Sequence, residues 1–138
     1  MTQIESESSK ETTADEVQNF AAYKAVEKAL QPYIAAATTG DGAQSRTAFL
    51  DHARIVGSVG GEYHALTANE FKGAVSEGGP SPEVNHHIAW IDISGPAAAA
   101  KVEFINWSGF RFTDFFVLYE TEGEWKISGK VYDSHSNN

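Results

Sequence analysis

The spacing of hydrophobic residues predicts helices in the first part of the chain. Apolar positions recur every three or four residues from Val17 to Ala37, which is typical of an amphipathic helix. The sequence Thr13-Ala-Asp-Glu16 has the form of a capping box and predicts where this helix begins. Pro32 lies inside the pattern and predicts a kink or break, and Gly40 predicts the end of the helix.

Two shorter helices and a small hairpin are expected next. Asp41 can cap a helix from Ala43 to about Asp51. The runs Ala53–Val59 and Glu62–Ala65 are joined by a Gly-Gly turn and predict a hairpin. A second capping box, Thr67-Ala-Asn-Glu70, predicts a third helix, ending near Glu77.

The last third of the chain changes to the pattern of long antiparallel strands. Four runs rich in apolar, β-branched and aromatic residues are separated by short turn signals. The runs are His86–Ser94, Ala97–Trp107, Phe110–Thr121 and Glu124–His135. Helices followed by such a meander predict an α+β fold, in which three N-terminal helices pack on one face of a curved, mainly antiparallel sheet.

The lengths of the turns predict which side chains share a face of this sheet. Two-residue turns in the first and third hairpins, with a bulge at Gly109 in the middle one, place all four strands' apolar residues on one inner face. One expected row contains His87, Phe104, Asp114 and Val131, and the next contains Asn85, Asn106, Phe112 and Asp133. The polar residues among them predict a cavity lined with ionisable groups, or else strand ends that reach solvent or satisfy one another.

The opposite face of the sheet is also expected to be rich in apolar and aromatic side chains, interspersed with Lys101, Glu103, Lys126 and Lys130. The apolar members are Ile88, Trp90, Ile105, Trp107, Phe115, Val117 and Tyr119. So large an apolar surface favours a homodimer through this face. The alternative is a face covered locally, for example by the N-terminal arm.

Composition narrows the classes of partner. The 138 residues carry a net charge of −9 and no basic stripe, which argues against nucleic acid and against a membrane surface. The chain has no cysteine, and the adjacent His86 and His87 would point to opposite faces of a strand. We therefore expect neither a metal nor another cofactor.

The chain is expected to form one domain. Residues 1–12 are expected to form a disordered acidic arm, which precedes a single domain at residues 13–138. The sequence lacks a signal-peptide pattern, which favours a cytoplasmic protein.

Several motifs together resemble a known superfamily. They are Tyr33-(x)6-Gly40-Asp41, Phe49, Ala53-Arg-Ile-Val-Gly57, Phe112-Thr-Asp-Phe-Phe-Val-Leu118, Gly123-Glu-Trp-Lys-Ile127 and Lys130-Val-Tyr132. Over residues 17–135 the chain resembles the nuclear transport factor 2-like superfamily, and most closely its lumazine-binding branch, near the SnoaL-like proteins. The resemblance implies a cone, with a strongly bent sheet folded round the helices, one open pocket, and often a dimer. Relatives include isomerases, dehydratases, cyclases and many members with no chemistry, so this fold leaves the function open.

Two functions fit these residues. The first is a small-molecule-binding domain that holds an apolar or ring-shaped ligand without turnover, which needs only the cavity. The alternative is an isomerase, dehydratase or cyclase in which Asp114 acts as general acid–base, because apolar walls raise the pKa of a carboxyl group. His87 and Asp133 would position or protonate the substrate, and Asn106 would donate to a developing oxyanion. The expected walls are Phe104, Phe112, Phe116 and Val131, with Tyr23, Tyr33 and His52 completing the pocket from the helices.

Overall fold

The computed structural model describes residues 13–137, and the arm expected at residues 1–12 lies outside this range. The helices are α1 (Ala14–Ala29), α2 (Gln31–Thr39), α3 (Gly42–Arg46) and α4 (Ala68–Gly78). The strands are β1 (Phe49–Val59), β2 (Glu62–Thr67), β3 (Asn85–Ser94), β4 (Ala97–Trp107), β5 (Phe110–Thr121) and β6 (Glu124–Asn137). No helix within the described range is long and apolar enough to cross a membrane.

The ends of the helices follow the local signals in the sequence. Both predicted capping boxes are present, with Thr13 and Thr67 each accepting a hydrogen bond from the backbone of the glutamate three residues later. The helix broken by Pro32 forms two helices, so residues 13–137 contain four helices where three were expected. Gly40 ends α2 in the left-handed region at φ +72°. There a Cβ atom would lie 2.4 Å from the carbonyl carbon of Gly79, which leaves room only for glycine.

The third helix is shorter than the sequence predicted. We expected it to continue to about Asp51, but it ends at Arg46, and β1 begins at Phe49 rather than Ala53. Phe49 pairs with Ile127 of β6 and is 3 % exposed. The pairing of Phe49 with β6 and the burial of its ring against Tyr33 and Phe71 outweigh the weak preference of so short a segment for a helix.

The prediction of an α+β fold with a mainly antiparallel sheet is confirmed. The six strands in the described part of the chain lie in the order β2-β1-β6-β5-β4-β3, with β1 parallel to β6 and every other neighbouring pair antiparallel. The sheet wraps round the helices as an open cone. Its inner face and the helices enclose the core, whose largest fully buried side chains include Tyr33, Phe104, Phe116 and Leu30.

The register of the first long hairpin was predicted correctly only near its turn. Ser94 pairs with Ala97 and Ile91 with Ala100, but the pairing shifts between Ile88 and Trp90. The extra residue reverses the alternation of side chains, so Ile88, opposite Val102, packs against the core. The placement of His87 on the inner face was therefore wrong. His87 pairs with Glu103 and is exposed.

In the middle hairpin the apolar side chains of β4 and β5 share one face as expected, but the bulge lies in β4 and not at Gly109. The extra residue lies within β4, between Phe104 and Trp107, where Asn106 has a φ of +61°. Phe104 therefore pairs with Phe112 rather than with Asp114, and the expected pair of Asn106 with Phe112 was wrong. Trp107, which we expected on the outer face, packs against the core.

The last hairpin contains the bulge with the largest consequence. Leu118 pairs with Ile127 as predicted, but one extra residue at Ser128 shifts the pairing that follows. Phe116 then lies opposite Lys130, and Asp114 opposite Tyr132. Beyond this bulge the sides of β6 are the reverse of those expected: Lys130 is buried inside the cone, whereas Val131 and Asp133 are exposed on the outside.

The outer face keeps part of the expected apolar surface. Trp90, Ile105, Phe115, Val117 and Tyr119 are between 41 and 53 % exposed. Val131 joins them, while Ile88 and Trp107 belong to the inner side. The surface is thus smaller than predicted and lies mainly on β3, β4 and β5.

Candidate functional site

A cavity of about 290 Å³ lies between α4 and the inner face of the sheet. Its walls are mostly apolar, formed by Val59, Leu66, Phe71, Val75, Phe110 and Phe112. Tyr33, Asp114 and Lys130 supply polar atoms to the same cavity. An apolar cavity with a few convergent polar groups is the usual form of a small-molecule site, although this volume is near the lower end of the range, about 300–1,000 Å³.

Three elements bring these polar groups together. Tyr33 comes from α2, Asp114 from β5 and Lys130 from β6. The Tyr33 hydroxyl donates a hydrogen bond of 2.5 Å to Asp114 Oδ2, and Lys130 Nζ donates one of 2.5 Å to the Tyr33 oxygen. Lys130 Nζ also lies 3.5 Å from Asp114 Oδ2. All three side chains are almost completely buried, so this is a carboxylate–phenol–amine cluster shielded from water.

Burial shifts the proton affinity of each member of the cluster. Desolvation raises the pKa of Asp114, although the Lys130 charge and the Tyr33 hydrogen bond oppose this. Desolvation likewise lowers the pKa of Lys130, against the attraction of Asp114. Burial, with Asp114 second, raises the pKa of Tyr33 well above its ordinary value. The difference between the pKa of the acid and that of the amine is thus smaller than in water, which makes proton transfer between Lys130 and Asp114 easier.

The Lys130 ammonium group is surrounded by aromatic rings. Its nitrogen lies 4.3 Å from the ring centroid of Phe71, 4.5 Å from that of Tyr33 and 4.6 Å from that of Tyr132. Such cation–π contacts replace part of the lost hydration of the charge. They also place the amine against rings that form the wall of the cavity.

One oxygen of the cluster is left without a partner. Asp114 Oδ1 is buried and accepts no hydrogen bond from any residue in the described range. An unsatisfied buried acceptor costs about 1–3 kcal/mol, more when it is charged, so native structures rarely keep one without a reason. A ligand that donates an N–H or O–H to this oxygen would remove that cost.

The structure brings only some of the expected site residues to the cavity. Asp114, Tyr33 and Phe112 line it together. Phe104 and Phe116 lie behind it in the core, where their rings contact Tyr33 with centroids 5.8 and 5.4 Å apart.

The other expected residues lie elsewhere. The bulges in β3 and β6 turn three of them to the outside of the sheet: His87, Val131 and Asp133. There Asp133 Oδ2 lies 3.6 Å from Nδ1 of His135. Asn106 lines a separate pocket beside residues 80–83. His52 on β1 and Tyr23 on α1 are exposed and do not line the cavity.

Sequence reasoning missed Lys130, Tyr132, Trp107 and Phe71, all of which line the cavity. One signal could have predicted that Lys130 and Tyr132 point into the cavity. A glycine inside a strand often marks a bulge, and Gly129 directly follows Ser128, where the extra residue of β6 lies. Within residues 13–137, no three His, Asp or Glu side chains cluster closely enough to hold a metal ion.

Comparison with known proteins agrees with this architecture. Residues 21–133 match the family described as "Putative lumazine-binding". An NTF2-like protein of unknown function from Shewanella baltica OS155 is 34 % identical, with a TM-score of 0.78 over 92 % of this chain and 100 % of that one. Another, from Methylobacillus flagellatus KT, is 31 % identical, with a TM-score of 0.77 over 91 % of this chain and 96 % of that one.

More distant structures share the fold alone. A protein described as "Putative Scytalone Dehydratase", from Novosphingobium aromaticivorans DSM 12444, is 15 % identical. Its TM-score is 0.68 over 88 % of this chain and 89 % of that one. No curated protein matches this chain.

Proposed function

Because the chain belongs to the family described as "Putative lumazine-binding", in the nuclear transport factor 2-like superfamily, we propose that its cavity binds a small ring-shaped ligand. The ligand is mainly apolar and carries at least one hydrogen-bond donor. The observation that carries this proposal is the unpartnered Oδ1 of Asp114, a residue that lines the mostly apolar cavity.

The walls of the cavity support a flat ligand. Phe71, Phe110 and Phe112 offer aromatic surface, and aromatic contacts add about 0.5–1.5 kcal/mol beyond the burial of their area. Lys130 Nζ lies 3.5 Å from Asp114 Oδ2, so a hydrogen-bond donor and a hydrogen-bond acceptor lie side by side among the residues that line the cavity. A ring with neighbouring donor and acceptor atoms would complement both groups, and lumazine is one compound of this kind.

A titration with 2-naphthol and with lumazine tests the proposal. Ala74 lines the cavity from the exposed side of α4, so Ala74→Trp should narrow it without disturbing the core. Glu77→Trp, at an exposed position of the same helix that does not line the cavity, is the matched control. We expect binding that Ala74→Trp weakens and Glu77→Trp leaves unchanged. Failure of both rings to bind, or equal binding to all three proteins, would overturn the proposal.

An acid–base enzyme is the second candidate, and the raised pKa of the buried Asp114 favours it. Asp114 would take and return a proton beside a ring carbonyl, with Tyr33 and Lys130 rather than His87, Asn106 and Asp133 as the neighbouring donors. Deuterium uptake at the α-carbon of 2-tetralone, followed by NMR, measures this activity directly. Uptake that is catalysed by the wild type and lost in Asp114→Asn supports it, and uptake at the buffer rate rejects it.

We also propose a homodimer through the outer face of β3, β4 and β5. The support is the exposure of Trp90, Ile105, Phe115, Val117 and Tyr119 on neighbouring strands, which a second copy of the chain would cover. A single domain over residues 13–138 and a cytoplasmic location stay predictions from the sequence.

A further inference from the structure

Lys130 is a primary amine at the wall of a ligand-sized cavity. It is 3 % exposed, surrounded by aromatic rings, and hydrogen-bonded to the Tyr33 hydroxyl at 2.5 Å. If the cavity only held an apolar ring, a methionine or leucine would fill this position without burying a charge. The position of the amine therefore suggests that it reacts with the ligand.

We propose that the cavity takes aromatic aldehydes or ketones and that the Lys130 amine condenses with their carbonyl group to form a Schiff base. The proposal rests on the ligand-binding function above and names the class of ligand. The condensation requires a neutral amine, a proton acceptor near that amine, and a donor that helps the carbonyl oxygen to leave.

The cluster supplies the route by which Lys130 loses its proton. Lys130 Nζ donates to the Tyr33 oxygen, and the Tyr33 hydroxyl donates to Asp114 Oδ2 at 2.5 Å. A proton can therefore pass from the ammonium to Tyr33 while the Tyr33 proton passes to Asp114, which leaves a neutral amine and a neutral acid. Burial favours this direction, because an apolar environment disfavours both charged forms.

The atoms of the condensation balance without an oxidant or a reductant. The lone pair of Nζ forms a bond to the carbonyl carbon, and the π electrons of the C=O bond move to oxygen, which takes the proton held by Asp114. Nitrogen, which now carries two protons and a positive charge, returns one of them through Tyr33 to Asp114, which gives a neutral carbinolamine. Asp114 then protonates the hydroxyl group, which leaves as water, and the protonated imine gives its last proton back to the Asp114 carboxylate. The net change is amine plus carbonyl compound to imine plus water.

The surroundings of Lys130 fit the product as well as the reactant. The rings of Phe71 and Tyr132, centred 4.3 and 4.6 Å from Nζ, would lie against the aromatic ring of a bound aldehyde. The same rings stabilise the positive charge of a protonated imine. Asp114 Oδ1, which has no partner in the described range, can accept a hydrogen bond from the hydroxyl group of the intermediate.

Reductive trapping tests the proposal in the wild-type protein. The protein is incubated with benzaldehyde and cyanoborohydride, and the benzylated lysines are located by peptide mass spectrometry over time. Lys24, Lys28, Lys72, Lys101 and Lys126 act as internal controls, because none of them lines the cavity. We expect Lys130 to be modified several-fold faster than any of these. Modification of Lys130 at their rate or more slowly would overturn the proposal.

Two variants and a second probe complete the experiment. Lys130→Arg keeps a cation but removes the nucleophile, so the fast adduct should disappear. Tyr33→Phe keeps the amine and breaks the proton path, so trapping should slow. Benzyl alcohol has the same ring without the carbonyl, and its binding is followed by NMR. If it binds in the cavity while Lys130 is not trapped, the condensation is rejected and ligand binding stands; if neither probe binds, both are rejected.

Discussion

Lys130 Nζ lies 3.5 Å from Asp114 Oδ2, and neither side chain is more than 4 % exposed. Placing two charges in so dry a site costs several kcal/mol per ion, and their attraction offsets this only while both are present. The Tyr33 hydroxyl between them completes the arrangement. The stability of the core therefore depends on the pair as a unit.

A double-mutant cycle should show this dependence. Asp114→Asn and Lys130→Met each leave the partner charge buried and unpaired, so each should lower the free energy of unfolding by about 3–5 kcal/mol. The double variant should lose much less than the sum, because no unpaired charge remains. Urea unfolding of the four proteins measures the coupling. Additive losses would mean that the pair is not an energetic unit.

Removal of the bridging hydroxyl should have a smaller effect. Tyr33→Phe keeps the ring, which packs against Phe104 and Phe116, but deletes the donor to Asp114. We expect the free energy of unfolding to fall by about 1–3 kcal/mol. Tyr63→Phe is the control, because Tyr63 is 71 % exposed and its change should be near zero. Equal effects of the two substitutions would contradict a structural role for the Tyr33 hydroxyl.

The same hydroxyl predicts a loss of stability at alkaline pH. Burial raises the pKa of Tyr33 well above its ordinary value of about 10, so above that pH the unfolded chain releases this proton and the folded chain keeps it. The folded state then binds more protons, and its stability falls as the pH rises, by up to about 1.4 kcal/mol per pH unit.

Urea unfolding near pH 9 and pH 11 checks this effect. Lys130, whose pKa is lowered, and Tyr132, whose pKa is raised, titrate in both proteins, so the comparison of wild type with Tyr33→Phe isolates Tyr33. The advantage of the wild type should shrink at the higher pH. A constant difference between the two proteins would show that Tyr33 titrates normally.

Local signals in the sequence were enough to predict most of the elements. Capping boxes, Pro32, Gly40 and the three tight turns mark ends that depend on residues close together in the chain. The predicted end of α3 was wrong because the pairing of Phe49 with β6 and the burial of its ring depend on residues distant in the chain. Predictions therefore failed where long-range packing overrides local preference.

The site was harder to predict, for a reason specific to strands. One extra residue near Ala89 turned His87 outward, and one at Ser128 turned Lys130 inward. Asp114 kept its predicted face because the observed pairing of β4 with β5 differs from the predicted pairing by two residues, which changes the partner of Asp114 but not its face. Two errors of one residue each thus removed His87 and Asp133 from the predicted site and brought Lys130 and Tyr132 into it.

Two glycine-to-alanine substitutions should have opposite effects. At Gly57 a Cβ atom would lie 2.4 Å from the backbone oxygen of Tyr132, so β1 and β6 would have to separate. We expect Gly57→Ala to cost about 1–3 kcal/mol and to disturb the cavity wall at Tyr132. At Gly73 in α4 an added Cβ atom would meet nothing within 4 Å beyond its chain neighbours and its own helix backbone, so Gly73→Ala should stabilise the protein by about 0.5–1 kcal/mol. Thermal unfolding of both variants tests this, and a harmless Gly57→Ala would contradict the close approach of the two strands.

The proposed dimer makes a prediction about Phe115. This ring lies at the centre of the outer face, 6.5 Å from the Trp90 ring and beneath the Lys101 ammonium, and it is 44 % exposed. Phe115→Glu would place a carboxylate in the middle of the contact, twice in a symmetric dimer, so the dissociation constant should rise at least about tenfold, the equivalent of 1.4 kcal/mol.

Tyr63→Glu is the control for this prediction, because it introduces the same charge at an exposed aromatic residue of β2, away from the outer face of β3, β4 and β5. Sedimentation equilibrium of the wild type and both variants measures the association. We expect a dimer in the wild type and in Tyr63→Glu, and a monomer at the same concentration in Phe115→Glu. A monomeric wild type would reject the dimer. A Phe115→Glu protein that still associates would show that the two copies meet through another surface.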